Sequence, residues 1–511
     1  MRAARVVVVG AGVGGLAAAL DLAARGCEVT VLERAPAVGG KMREVAAGPA
    51  RIDAGPTVLT MRWVFEDLFQ SAGLCFADRV PMVRASVIAR HAWTDGGRLD
   101  LHADPARSAA AIDAFCGEGE RFLAFAARAR GIYQTLEGPF IRQACASPFA
   151  LTRAVGFTRL RELWRITPFA SMWRALGGHF RDPRLRQLFG RYATYCGSSP
   201  YLAPATLMLV AHVEQDGVWF VDGGMHRLAR ALAEAARERG VTFHFDSEVA
   251  EVTTAGGRAS GVRLSDGRVI QAQAVVLNAD SAAVAAGLFG APAARAAPAA
   301  RGATRSLSAL TWLAHARCAD FPLHRHNVFF STDYRREFDD ILGRGEAPDE
   351  PTVYVCAQDR DDHAAPAEGA AERLLVLVNA PANGDTRDWN DPETRSCETR
   401  CLDLLARCGL RVAFDPAATT LATPSDFHRL FPGTGGALYG PASHGWQASF
   451  KRPGARTRLP GLYLAGGSTH PGPGVPMAAL SARLAASSLL QDLDSIARSS
   501  TAAMRGGMST P

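Results

Sequence analysis

Residues 5–33 read RVVVVGAGVGGLAAALDLAARGCEVTVLE, and this stretch decides the fold. Four valines run into Gly10-Ala11-Gly12-Val13-Gly14-Gly15, a helical pattern continues to Arg25-Gly26, and a second β-branched run ends on Glu33. The spacing predicts a strand, a helix and a parallel strand. Gly10 permits the tight turn out of the first strand, Gly12 lets backbone approach a pyrophosphate, and Gly15 lets the helix pack close to the strand. The helix N-terminus aims unpaired N–H groups and the positive end of its dipole at the same place. Glu33, eighteen residues beyond Gly15, ends the second strand, where a carboxylate accepts the hydroxyls of an adenosine ribose. A lone glycine motif is weak, but strand, helix, strand and terminal acid in this order make a dinucleotide site.

Beyond Glu33 come Arg34-Ala35-Pro36-Ala37-Val38-Gly39-Gly40-Lys41 and then Asp53-Ala54-Gly55-Pro56-Thr57. A nicotinamide fold passes directly into its next helix and has no use for this second glycine pair. The loop resembles the extended signature of the glutathione-reductase-like FAD enzymes, where it lines the flavin's diphosphate and ribityl chain. Lys41 and Lys451 are the only lysines in a chain that otherwise uses arginine. Lys41 therefore reads as a required point charge or as chance substitution on a surface loop.

Composition sets the outer limits. A chain of 511 residues is too long for one core, and 48% apolar with 21% charged residues is the make-up of a globular protein. A formal charge of +6 is small for this length and does not point to nucleic acid. No run of eighteen apolar residues occurs, and the Ala-rich segment from Ala282 to Ala300 is broken by Pro292, Arg295 and Pro298. The chain enters a strand almost at once, so a cytoplasmic protein without a cleaved leader is expected. Ten cysteines lack CxxC pairs; Cys397, Cys401 and Cys408 share a helix stripe with Leu404 and Leu405, which reads as core rather than metal ligands.

Along the chain, Met61 to Phe69 is an amphipathic helix with Met61, Val64, Phe65, Leu68 and Phe69 on one face. A hairpin is expected at Asp95-Gly96-Gly97, opening a new sheet, and residues 105–211 read as mostly helical. Between Arg142 and Arg191 ten basic residues face two acids, interleaved with Phe157, Leu160, Leu163, Trp164, Ile166, Phe169, Met172 and Trp173. That pattern suits a segment docked on a membrane surface; the alternative is an Arg-rich face packed over a core with snorkelling stems. Residues 241–252 give two strand pieces, 261–270 a hairpin at Ser265-Asp266-Gly267, and Ala274 to Asp280 a buried strand ending on polar groups. From Ala303 to about Thr420 strands and helices alternate, and the sequence says little more there. Near the end, LYLAGGSTHPGPGVPM (462–477) is a strand, a Gly/Pro turn and a helix of about fifteen residues from Pro476. Residues after about Ser495 read as a frayed tail.

Taken together, GAGVGG, ERAPAVGGKM, DAGPTVLT and LYLAGGSTHPGPGVPM resemble the bacterial-type carotenoid desaturases, the phytoene desaturase family. Within it, DAGPTVLTMRWVFEDLF is most similar to the 1-hydroxycarotenoid 3,4-desaturases of purple photosynthetic bacteria. The resemblance implies an α/β protein: a discontinuous glutathione-reductase-like FAD-binding Rossmann domain (1–90, 218–285 and 455–495), an α+β substrate domain (91–217 and 286–454) whose first part includes a helical, membrane-facing lid subdomain, and a tail (496–511). It implies FAD as the redox cofactor, a hydrophobic C40 carotenoid drawn from a membrane surface, and an external electron acceptor such as oxygen or a quinone. Carried over position by position, the cofactor contacts are Gly10, Gly12, Gly15, Glu33, Lys41, Thr57, Val58, Val249, Asn278, Leu438, Gly467 and Met477. The Gly466-Gly467-Ser468 motif lacks an acid, as in that family, so ribityl recognition by a carboxylate is not expected there. His444, His470 and Asp222 flank the glycine-rich flavin loops and are the candidates for a weak base, the alternative being capped or solvent-facing polar residues. Other readings are a phytoene desaturase or carotenoid isomerase, an amine oxidase, and a non-catalytic prenyl or lipid carrier.

Overall fold

A computed structural model describes residues 3–144, 169–297 and 302–506. Arg5–Val9, Val13–Ala24 and Glu28–Leu32 form the strand, helix and strand that their pattern predicts. The two strands sit inside a five-stranded parallel sheet of order Leu462–Leu464, Ala274–Leu277, Arg5–Val9, Glu28–Leu32 and Thr242–His244. Segments from the beginning, middle and end of the chain thus build one sheet. Both its faces are covered, so Val6 to Val9 are all buried, as a near-continuous apolar run requires. The first helix packs between His226–Glu238 and the closing helix Val475–Gly506. Ala17, Ala18 and Ala19 are fully buried in it, and side chains this short let the three helices approach. The other face carries an antiparallel ribbon, Val249–Ala255, Arg258–Leu264 and Val269–Gln271, with its second turn at Ser265-Asp266-Gly267.

A second, larger sheet supplies the floor of the site. Its path runs Arg411–Val412, Ser308–Ala319, Ala371–Ala380, Val353–Ala357, His326–Phe329, Val87–Ala92 and Arg98–His102, with Thr419–Ala422 also paired to Ser308–Ala319. Val87–Ala92 and Arg98–His102 are the hairpin expected around Asp95-Gly96-Gly97. Side chains alternate across a strand. Leu374, Val376 and Val378 therefore point into a core with Cys397, Cys401, Leu404 and Leu405 of helix Asp391–Arg407. That is the stripe read from the cysteine spacing, and each of its two leucines contributes roughly 1.5–3 kcal/mol by burial. Leu375, Leu377 and Asn379 turn the other way.

Three details depart from the sequence reading. Met61 stands ahead of its helix, which spans Trp63–Ser71, in a left-handed conformation (φ 47°) that still buries its side chain. The closing helix is 32 residues long, not about fifteen, and continues where a frayed tail was expected. No proline or glycine interrupts 477–505, and Ala479, Ala482, Ala485, Ala486 and Leu489 recur at helical spacing against the first helix. Ile496 is exposed, and the helix continues to Gly506. The last residues of the expected tail, 507–511, lie outside the described residues.

Much of the expected membrane-docking segment, including Phe157, Leu160, Leu163, Trp164, Ile166 and the arginines at 153, 159, 161 and 165, also lies outside the described residues. Among those described, Arg142 stacks 3.8 Å over Trp63 and pairs with Glu137, Arg184 pairs with Asp182 and Asp95, and Arg186 stacks over Trp173. These arginines are engaged within the protein. Among the described residues no helix is long and apolar enough to cross a membrane.

Candidate functional site

Where the first helix meets its sheet, five glycines crowd one side chain. A Cβ at Gly14 would lie 2.5 Å from Asn278 Oδ1, one at Gly466 2.9 Å from the same atom, and one at Gly12 3.0 Å from Asn278 Nδ2. At Gly10, with φ +95°, it would lie 2.8 Å from the Asn278 carbonyl oxygen. Gly15 is tighter still, 1.9 Å from the Gly10 carbonyl oxygen, which is the close helix–strand approach expected of it. Asn278, at the end of strand Ala274–Leu277, donates to the Gly10 carbonyl at 3.4 Å and lies against Gly466 of the closing loop. Gly14 and Gly466 were not singled out from the sequence; their constraint comes from a residue more than 180 positions away from either.

The helix beginning at Val13 has no side-chain cap and no acid in its first turn. Its free N–H groups open onto a cavity of about 1130 Å³. Gly10, Gly12, Glu33, Lys41, Thr57 and Val58 line that cavity, as do Val249, Asn278, Leu438, Gly467 and Met477. Of the expected cofactor contacts, Gly15 alone stands behind the wall. Glu33 accepts from the backbone N–H of Ala11 at 2.6 Å and of Ala35 at 2.8 Å. Both carboxylate oxygens keep a further lone pair for a ribose hydroxyl. Lys41 Nζ donates to the Leu438 carbonyl at 2.6 Å, joining two loops 397 positions apart. Burial pushes its pKa down, while Asp280 acts in the opposite sense.

Arg452 was not read from the sequence. It is buried and donates to the carbonyls of Tyr439 (3.4 Å), Gly467 (3.3 Å) and Pro441 (2.6 Å) and to Ser443 Oγ (3.4 Å). Burial brings its pKa down to about 10, partly countered by Cys196 and Asp280, so it remains a cation at neutral pH. A buried cation, a helix N-terminus with its first N–H groups free, and a carboxylate with lone pairs to spare all face one cavity. They fit an anionic dinucleotide such as FAD, which the glycine turn, Glu33 and Val249 would hold.

Beyond the glycine loops the cavity continues over the larger sheet. Thr311, Leu377, Tyr354 and Val328 are register neighbours on four adjacent strands and form one row across the floor. Leu207, Val210 and Val213 form a wall from the turn and helix spanning Ala205–Met208 and Leu209–Asp216. Phe169 and Trp446 meet edge to face at 5.3 Å, line the cavity, and remain 62% and 38% exposed.

The three candidate bases are not among the cavity-lining residues. His444 Nε2 accepts from the Ser199 N–H, His470 Nε2 bonds the Phe140 carbonyl, and Asp222 pairs with Arg227 at the surface. Adjacency to a glycine loop does not set the direction of a side chain.

Behind the floor, Glu337 is buried and accepts from the Thr352 N–H (3.1 Å) and Asn379 Nδ2 (3.3 Å). Burial pushes its carboxyl from 4.5 up to about 7. Since the folded value is the higher one, stability is lost as pH rises from about 4.5 through 7, to a total of about 3 kcal/mol. Glu337→Gln is expected to be more stable than wild type at pH 8 by about that order, the gap closing toward pH 5. Urea midpoints across this range check it, and a gap independent of pH refutes it.

The chain is 54% identical to a hydroxyneurosporene desaturase of Rubrivivax gelatinosus, over 100% of this chain and 98% of the relative. It is 44% identical to a hydroxyneurosporene desaturase of Cereibacter sphaeroides, over 97% and 99%. Among solved structures, putrescine oxidase bound to putrescine shares the fold with a TM-score of 0.60 at 15% identity, covering 97% of this chain and 99% of that one. The family described as flavin containing amine oxidoreductase matches residues 13–490, and with the glycine cradle, Glu33 and the buried Arg452 around one cavity, the chain belongs to that family.

Proposed function

We propose that the protein is an FAD-dependent carotenoid 3,4-desaturase, acting on 1-hydroxylated acyclic C40 carotenoids such as 1-hydroxyneurosporene and rhodopin. One observation carries the reading: a single cavity joins the glycine loops and Glu33 to a long apolar chamber over the larger sheet. The names of the desaturase relatives support the substrate class.

Bound FAD supplies a two-electron acceptor for a hydride from one carbon of the new double bond, while the adjacent carbon releases a proton. The chain's own residues position and shield. Val328, Leu377, Leu207 and Val213 hold a polyene extended and exclude water. Arg452 and Lys41 place positive charge beside the 438–443 and 466–474 loops, which favours a more negative cofactor. The N-terminus of Val475–Gly506, whose first residues line the cavity, acts in the same sense. The electrons leave to an external acceptor, oxygen or a membrane quinone. Phe169 and Trp446 at the rim support peripheral docking on a membrane from which the substrate enters.

FAD-loaded protein incubated with vesicles containing 1-hydroxyneurosporene is expected to give a product lighter by two hydrogens and absorbing at longer wavelength. Unchanged carotenoid alongside fully bound flavin refutes the proposal.

A further inference from the structure

Among the apolar side chains of the chamber stands a group of hydrogen-bonding residues. Tyr354, in the floor row between Val328 and Leu377, has its hydroxyl 2.7 Å from Thr57 Oγ1 and 2.7 Å from His326 Nδ1. His326 is buried, and burial with two nearby arginines lowers its pKa to about 3, so the imidazole is neutral. A neutral ring nitrogen either donates or accepts. If Nδ1 accepts from Tyr354, Thr57 donates to Tyr354 and keeps lone pairs for a ligand. If Nδ1 donates, Tyr354 donates to Thr57, whose own O–H is left for a ligand. A ligand hydroxyl, being donor and acceptor at once, matches either arrangement.

On the adjoining wall Tyr195, half-buried on the turn Arg191–Cys196, lies beside two buried charged residues, Arg191 and Glu214. The Arg191 guanidinium is 4.9 Å from its ring centroid and has Nε without a partner, and Glu214 accepts from the Tyr192 hydroxyl at 2.6 Å. Arg191, Tyr195, Glu214, Tyr354 and Thr57 all line the same cavity. A plain hydrocarbon covering this wall would strip water from its polar groups and return no hydrogen bond.

We infer that Thr57, Tyr354 and Tyr195 form the seat for the substrate's terminal hydroxyl and make the enzyme select a hydroxylated polyene over the hydrocarbon of the same skeleton. The inference rests on the desaturase reading above and assigns its specificity to named residues. Position agrees with the chemistry. In a 1-hydroxylated carotenoid the oxygen is four bonds from C-4, about 5 Å in an extended chain, so the group that reads it must adjoin the cofactor loop. Thr57 is on that loop.

The test compares FAD-loaded wild type, Tyr354→Phe and Tyr195→Phe on 1-hydroxyneurosporene and on neurosporene, which has the same skeleton but a terminal C-1,2 double bond in place of the added H and OH. Wild type is expected to favour the hydroxylated carotenoid by at least about 100-fold in kcat/KM, and each variant to lower that ratio about tenfold or more at unchanged flavin content. Binding of each carotenoid, followed through the flavin spectrum, gives the ratio independently of turnover. A ratio that stays at the wild-type value in both variants, both substrates slowing together, overturns the seat. Wild type that converts the two equally overturns the seat and leaves the desaturase standing. Wild type that converts neither overturns the desaturase reading, and the seat falls with it.

Discussion

Gly15→Ala is expected to yield protein that cannot hold FAD. The added Cβ would lie 1.9 Å from the Gly10 carbonyl oxygen and 3.1 Å from Asn278 Nδ2. The first of these is backbone, fixed between a buried strand and the first turn of the helix, so no rotamer change relieves it. The helix must lift off the sheet, carrying its free N–H groups away from the cavity. It is also clamped by two neighbouring helices through fully buried alanines, which resist the shift. A cost above the usual 1–3 kcal/mol of overpacking, roughly 3 kcal/mol or more, is expected. Flavin-to-protein ratio and unfolding midpoint measure it. Gly178→Ala is the control, since a Cβ there meets nothing within 4 Å. Stoichiometric FAD and an unchanged midpoint in Gly15→Ala would sink the account of the cradle.

Arg452→Met is the second large effect. One guanidinium braces the 439–443 loop against the Gly467 loop through four acceptors. Methionine keeps the bulk of the stem but leaves those oxygens without a donor, at about 1–3 kcal/mol for each that water cannot reach. It also removes a cation from the cavity wall. We expect a loss of about 3 kcal/mol or more in stability and at least a tenfold weaker FAD affinity, measured by urea unfolding and by titrating apoprotein with FAD. Arg452→Lys should recover part of the affinity and little of the stability, because an ammonium cannot span both loops. Affinity within twofold of wild type would show that the brace is dispensable.

Legibility of the site followed the range of the constraint. The turn at Gly10, the contact of Gly15 with Gly10, the acid ending the second strand, and the Cys397, Cys401, Leu404 and Leu405 stripe are all imposed by neighbours a few residues away. Each selects a residue type at a fixed spacing, and spacing is visible in a single chain. Arg452 carried no such mark, being one arginine among many beside Lys451. Its four acceptors are unremarkable backbone and serine oxygens.

The amino-acid sequence by itself determined the βαβ unit, the glycine turn with Glu33 at the end of its second strand, the strand before Asn278 and the glycine turn that precedes the closing helix. Tertiary structure decided that Asn278 plugs the glycine cradle, that Lys41 and Arg452 brace loops from the far end of the chain, and that Tyr354, Tyr195 and Thr57 line one cavity while His444, His470 and Asp222 stand outside it. The physical reason is that local backbone sterics admit only certain residues, such as glycine at positive φ, whereas a long-range hydrogen bond accepts any suitable donor whose partner the fold brings near.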